Sequence, residues 1–231
     1  MIKDTVVLVT GGRRGLGAAI VDEVLNRGAR KVYSTARAPF EDPRAQVVTK
    51  QLEVTSAESV DALARDLTDV EIVVNNAGVL HPDPLLTGDF DRIDATFQTN
   101  VFGPLRIARA FAPILKANGG GAIVNIHSVL SWLGGAGAYG ASKAAIWSVS
   151  NTLRLELEAQ HTHVLGVHAA FIDTDMVSAL PVPKTPPSAI AARIIDALDK
   201  GDNEVLTDDL TVQIKSQLAG PVEKLAYRPG H

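Results

Sequence analysis

The chain has 231 residues, a formal net charge of −4 and no cysteine, and 46% of its residues are hydrophobic. Those values suit one globular domain of the larger α/β kind and exclude a disordered chain. They argue against nucleic acid as the main partner, rule out disulfides, thiolate catalysis and cysteine-ligated metals, and leave a reducing cytoplasm as the expected setting.

In chain order, apolar runs alternate with helix-like segments. Thr5–Thr10 reads as a strand buried on both faces, too early for a secretory signal to precede it. Gly15–Asn26 follows as a helix, with Gly28 where a helix stops. Lys31–Ala36 and Gln46–Val54 are the second and third strands, and Ser56 stands where it caps a helix running to about Leu67. Glu71–Asn75 is the fourth strand, Asn100–Leu115 a long helix, Ala122–Ile126 the fifth strand and Tyr139–Ala159 another long helix. Val164–Ala170, Pro187–Lys200 and Glu204–Leu206 complete the pattern as strand, helix and short strand. No apolar run is long enough to span a membrane.

This alternation predicts an α/β fold, a Rossmann-type doubly wound parallel sheet of about seven strands with helices on both faces. Residues 1–231 are expected to form this single domain. The proline-rich stretch at about 175–187 reads either as a substrate loop at a strand's carboxyl end or as an ordinary crossover.

Between the first strand and the first helix lies Thr10-Gly11-Gly12-Arg13-Arg14-Gly15-Leu16-Gly17. Glycines let backbone approach a ligand closely, a helix N-terminus turns unpaired N–H groups toward it, and arginines suit an anion such as a pyrophosphate. A plain glycine-rich turn accounts for the string equally well. The spacing Gly11-x-x-x-Gly15-x-Gly17 is not the common G-x-G-x-x-G. It resembles the short-chain dehydrogenase/reductase family, in its single-domain branch. Three more segments match that family in order: Asn75-Asn76-Ala77-Gly78 after the fourth strand, Ser128 after the fifth, and Tyr139-Gly140-Ala141-Ser142-Lys143, a Tyr-x-x-x-Lys pair. The resemblance runs from about Thr5 to Thr174.

A dinucleotide-binding fold commonly carries an acid at the end of its second strand for the ribose 2′-OH. Here that strand ends Ser34-Thr35-Ala36-Arg37, without a carboxylate. Arg37 and Arg14 suit a 2′-phosphate, and Arg13 either helps them or faces solvent. In the family, basic residues at these places go with NADP(H), which is the expected cofactor. The resemblance implies further contacts from Gly11, Gly15, Leu16 and Gly17 in the turn, and from Glu53 and Val54 near the adenine. It also implies contacts from Asn75, Ala77 and Gly78 by the ribose and sheet centre, from Tyr139 and Lys143, and from Thr174 at the nicotinamide end. Two positions depart from the family pattern: Glu53 stands where Asp is commoner, and Ala169-Ala170 replaces Pro-Gly.

Tyr139 and Lys143 are four apart and share one helix face. A phenol with a pKa of about 10 is a poor base at neutral pH. An ammonium ~4 Å away, at an effective dielectric of about 20, favours the phenolate by roughly 4 kcal/mol, or about three pKa units. A depressed phenol is therefore expected. The resemblance implies that Ser128 hydrogen-bonds the substrate carbonyl, Tyr139 is the general acid/base, and Lys143 lowers its pKa and holds the nicotinamide ribose. It assigns to Asn100 a water next to the lysine. The Ser128–Tyr139 loop is slightly shorter than the family's, and Ser131 is the alternative serine. His127 is expected to be a buried structural imidazole, and the histidines lack a metal-ligand spacing.

Leu85, Trp132, Leu133, Met176 and Leu180 fall in segments that wall a pocket or pack the core, and as a pocket they suit an apolar or aromatic ketone or aldehyde. Phe102, Leu105, Ile107, Phe111, Ile146, Trp147, Val149 and Leu153 spread around the two long helices, which hints at a subunit interface; the family implies a homodimer or homotetramer. The resulting expectation is an NADP(H)-dependent carbonyl reductase or alcohol dehydrogenase. A non-catalytic NADP(H)-binding regulator is the alternative, though it has no need of Asn100, Ser128, Tyr139 and Lys143 together. A sugar-nucleotide epimerase or dehydratase has a larger C-terminal domain than this chain accommodates.

Overall fold

The computed structural model describes residues 1–227; residues 228–231, the end of the expected domain, lie outside the described residues. Its strands are β1 (Val6–Val9), β2 (Lys31–Ala36), β3 (Val47–Gln51), β4 (Ile72–Asn75), β5 (Ala122–Ile126), β6 (His163–His168) and β7 (Glu204–Leu206). They form one seven-stranded sheet in the order β3-β2-β1-β4-β5-β6-β7, with every pairing parallel. The fold is thus the Rossmann-type doubly wound arrangement. Each strand falls within a residue or a few of its expected span.

Side chains alternate across the sheet because successive Cβ atoms of a strand point to opposite faces. Val7, Val9, Ile72, Val74, Val124 and Leu165 go to one core with Leu16, Ile20, Val24, Ile190, Ile194 and Leu198. The last six lie on α1 (Gly15–Asn26) and α6 (Pro187–Lys200). Val6, Leu8, Val73, Ile123 and Val164 go to the other core, against Val60, Leu63, Ile107, Phe111, Leu115 and Leu153. Those belong to α2 (Ala57–Asp66), α4 (Gly103–Ala117) and α5 (Gly137–Glu156). Ser56 caps α2, its hydroxyl accepting from the Ser59 N–H at 3.1 Å.

Two helices go beyond the expectation. The segment before α4 is itself helical, α3 (Phe90–Phe97), and joins α4 through a π-helical turn at Gln98–Phe102. Asn100 therefore sits mid-way along a continuous helical run, at a widened turn, and not at a helix start. The second is α7 (Asp209–Ser216), opened by a capping box in which Asp208 accepts from the Thr211 N–H at 2.9 Å.

The strand order reverses between β1 and β4, which pair directly with Val9 beside Val74. A crevice at the carboxyl ends of strands on either side of such a reversal is where open α/β sheets bind ligands. The glycine turn leaves β1 there and Asn75–Gly78 leaves β4 beside it.

Candidate active site

At the β1 end the glycines are required by contact. A Cβ on Gly17 would overlap the Gly11 carbonyl oxygen, and one on Gly12 would overlap the Ser34 hydroxyl. Gly11 and Gly15 have φ of 68° and 57°, the left-handed region that favours glycine. Asn76, which the sequence reading passed over, braces this turn: its Nδ2 donates to the carbonyls of Thr10 at 2.9 Å and Gly11 at 3.2 Å. Thr10 Oγ1 accepts from the N–H groups of Asn76 and Ala77, each at 3.0 Å. Adjacency to Asn75 in the same motif was the available signal.

Arg13, Arg14 and Arg37 are exposed at the rim, and no carboxylate stands at the end of β2. Ser34 Oγ, against Gly12, and Thr35 Oγ1 are buried without a hydrogen-bond partner among the described residues. A turn that tolerates only glycine, orphaned hydroxyls and exposed cationic groups fit a phosphorylated dinucleotide. Arg14 meets Asp175 at 3.3 Å in a pair with both side chains mostly exposed, a contact of small worth that a phosphate displaces easily. Thr174 lies over the same turn: a Cβ on Gly15 would meet its Cγ2 at 3.2 Å.

Other expected contacts sit differently. The Asn75 side chain is buried, and its Nδ2 donates to Asn125 Oδ1 at 2.9 Å, so only its backbone borders the crevice. Val54 is buried against Gly103. Glu53 Oε1 accepts from the N–H and hydroxyl of Thr55, at 3.1 and 2.9 Å, which holds the carboxylate close to its own turn. Leu16 is buried in the core behind α1, and Ala77 and Gly78 are half-buried.

The catalytic candidates converge from four elements. Ser128, the residue that follows β5 by two, lies close enough to the Tyr139 phenol to influence its ionisation. Lys143, one turn along α5, has its Nζ 5.7 Å from the Tyr139 ring centroid and donates to the Ile126 carbonyl at 2.9 Å. Gly78 borders both Asn100 and Lys143: a Cβ there would lie 3.3 Å from Asn100 Oδ1 and 3.9 Å from the lysine Nζ. Asn100 Oδ1 accepts from the Val79 N–H at 2.9 Å, while its Nδ2 donates to the Val79 carbonyl and to Ser142 Oγ, each at 3.0 Å. The asparagine thus ties the β4 loop to α5. Ser131 is committed elsewhere, donating to the Lys143 carbonyl at 3.0 Å. The start of α5 is docked by Ala138 N–H on the Asp83 carbonyl at 3.0 Å.

The expected depression of the phenol is not what this geometry produces. Burial pushes the Tyr139 phenol up to about 12, with the nearby Ser128 side chain pulling the other way. Burial also brings the Lys143 ammonium down to about 8. The arithmetic from sequence assumed a lysine aimed at the phenol in a solvated setting. Here the amine is directed at the Ile126 carbonyl, and loss of water penalises charge on both groups. Tyr139 is half-buried by area, so solvent still screens part of the effect.

Of the two readings open for Trp132, the structure takes core packing. It is buried, and its ring stacks on His168 at a centroid distance of 4.0 Å within a third apolar cluster that includes Leu133. Leu85 and Met176 are exposed, and Leu180 is half-buried.

Comparison with known proteins places the fold in a family. The family model described as short chain dehydrogenase matches residues 5–184. The chain is 31% identical over 194 residues, 78% of each protein, to a 3-oxoacyl-acyl-carrier-protein reductase of Vibrio cholerae. It is 31% identical over 198 residues, 78% of this chain and 79% of the other, to a 3alpha-hydroxysteroid dehydrogenase of Mediterraneibacter gnavus. A crystal structure of a short chain dehydrogenase from Burkholderia cenocepacia in complex with NADP superposes with a TM-score of 0.92 at 35% identity, covering 97% of both chains. The chain belongs to the short-chain dehydrogenase/reductase family of nicotinamide-dependent oxidoreductases.

Proposed function

We propose that the protein interconverts a ketone or aldehyde and the corresponding alcohol using NADP(H), with Tyr139 as general acid/base. The observation that carries this reading is the gathering of Ser128, Tyr139 and Lys143 at the crevice, with the Lys143 Nζ one helical turn away and 5.7 Å from the Tyr139 ring centroid. Hydride comes from the nicotinamide of the bound cofactor. Ser128 offers its hydroxyl to the substrate oxygen and so polarises the carbonyl. Tyr139 passes its phenolic proton to that same oxygen, so carbon gains hydride, oxygen gains a proton, and an alcohol results. A phenol held up to about 12 is protonated at neutral pH and ready to donate. Lys143, cationic below about pH 8, keeps a positive charge 5.7 Å from the tyrosine ring as the phenol gives up its proton. Alcohol oxidation is the same path reversed.

Preference for NADP(H) rests on Arg14 and Arg37, with Arg13 beside them, and on the missing acid at the end of β2. An apolar or aromatic carbonyl fits the exposed Leu85 and Met176, and two relatives are named for reactions on ketones or secondary alcohols. Residues 1–231 act in this reading as one domain with 175–187 as its substrate loop. A homodimer or homotetramer would cover the exposed Phe102 and Leu155 beside α4 and on α5. A panel of ketones and aldehydes, followed by loss of reduced-nicotinamide absorbance with NADPH and NADH in parallel, tests the reading. Turnover of at least one apolar or aromatic carbonyl with higher kcat/KM for NADPH is expected. No turnover of any carbonyl, or a preference for NADH, counts against it.

A further inference from the structure

Beneath Ser128 lies a buried polar chain that none of the roles above uses. His168, fully buried at the end of β6, has its Nδ1 3.1 Å from the Ser128 carbonyl. Its Nε2 is 3.0 Å from Glu204 Oε1 on β7 and 3.2 Å from Nδ1 of His127, the residue just after β5. Glu204 is a carboxylate, because an ammonium and an indole N–H both donate to it. Lys215 Nζ donates to Glu204 Oε2 at 2.6 Å, and Trp147 Nε1 donates to Oε1 at 3.0 Å.

Hydrogen-bond accounting then assigns the protons. The Ser128 carbonyl only accepts, so Nδ1 of His168 carries a hydrogen. The Glu204 carboxylate only accepts, so Nε2 carries one too; a lone pair on the buried ring would otherwise face a carboxylate oxygen. His127 Nδ1 must then accept, which leaves its Nε2–H to donate to Ser150 Oγ at 2.8 Å. The Ser150 hydroxyl is free to donate to the Ile146 carbonyl at 2.8 Å. Every donor has an acceptor. Burial and the charges of His168, Lys143, Arg154 and Lys215 hold His127 neutral, as this pattern demands. The Trp132 face stacked on the His168 ring suits a cation.

We propose that His168 is a positioning residue: an imidazolium locked by Glu204, whose Nδ1–H holds the Ser128 carbonyl and thereby aims the serine hydroxyl at the substrate oxygen. The same carbonyl accepts from the Ser131 N–H at 3.0 Å, so both of its lone pairs are fixed. Aim of the hydroxyl follows because Ser128 Oγ is itself tethered to the Leu130 N–H at 3.1 Å, within the turn that the carbonyl closes. The catalytic part of this inference rests on the reductase reading; the proton assignment does not.

Two variants separate aim from bulk stability. His168→Asn keeps an N–H near the Nδ1 position, toward Ser128. His168→Gln carries its N–H out to the Nε2 position, toward Glu204, and leaves the serine carbonyl short of a donor. Loss of one charge-assisted hydrogen bond predicts that kcat of His168→Gln falls about 10-fold or more while His168→Asn stays within about 3-fold of wild type, with cofactor affinity unchanged in both. Equal kcat in the two variants overturns the role. Nitrogen NMR of the wild-type imidazoles at neutral pH reads the lock without any turnover or variant. Two protonated nitrogens on His168 support it, and a single one overturns it. A wild type that reduces no carbonyl defeats the reductase reading alone, since the NMR arm still decides the proton assignment.

Discussion

Replacing Glu204 by Gln tests how strongly the buried charges beneath the site hold the fold together. The carboxyl is brought from 4.5 to about 2. The folded state thus binds its proton more weakly than the unfolded chain does. Its contribution is fully present above about pH 4.5 and is lost as pH falls through about 2. A shift of that size corresponds to at most about 3 kcal/mol at neutral pH, reduced by whatever water reaches the side chain. Glu204→Gln keeps shape and removes the titration. For a chain of this length the loss should lower Tm by about 6–12 °C at neutral pH. The gap between wild type and variant should then narrow by about 2 kcal/mol between pH 7 and pH 3. Urea unfolding of both proteins in half-unit pH steps measures it. A gap of constant size over that range would refute the reasoning, because a contact that does not titrate cannot be this ion cluster.

Gly17→Ala should abolish cofactor binding: its Cβ would overlap the Gly11 carbonyl oxygen and come within 2.6 Å of Asn76 Nδ2, distorting the turn that those atoms brace. NADPH fluorescence titration checks this, and an unchanged Kd would contradict the close approach. The pH profile of carbonyl reduction should fall above about pH 8, where Lys143 loses its charge, while Tyr139 keeps its proton to about 12. A kcat that stays flat to pH 10 would remove the lysine charge from the chemistry.

Much of the fold was legible because buried parallel strands are short unbroken apolar runs, as Val6–Val9 and Ile72–Asn75 show. The α3 helix was harder to see: within Phe90–Phe97, polar residues separate Phe90, Ile93 and Phe97, and the cap at Asp89 is a modest signal. The glycine turn and the Tyr139–Lys143 pair were legible because their partners lie nearby in sequence. The cluster of His127, His168, Glu204 and Lys215 was not, because β5, β6, β7 and α7 bring together residues with no local spacing. Whether Trp132 walls a pocket or packs the core is likewise decided by His168 beneath its ring, a partner distant in sequence. The phenol shift was misjudged in sign for a related reason, since spacing reveals a neighbouring charge but not the water removed from both groups.

Single-turnover reduction by Tyr139→Phe, with NADPH binding measured on the same protein, tests proton donation most directly. Removing a positioned acid while keeping the ring should slow reduction by about 100-fold or more and leave cofactor affinity intact. Reduction at the wild-type rate by that variant would show that the proton reaches the substrate oxygen from another group.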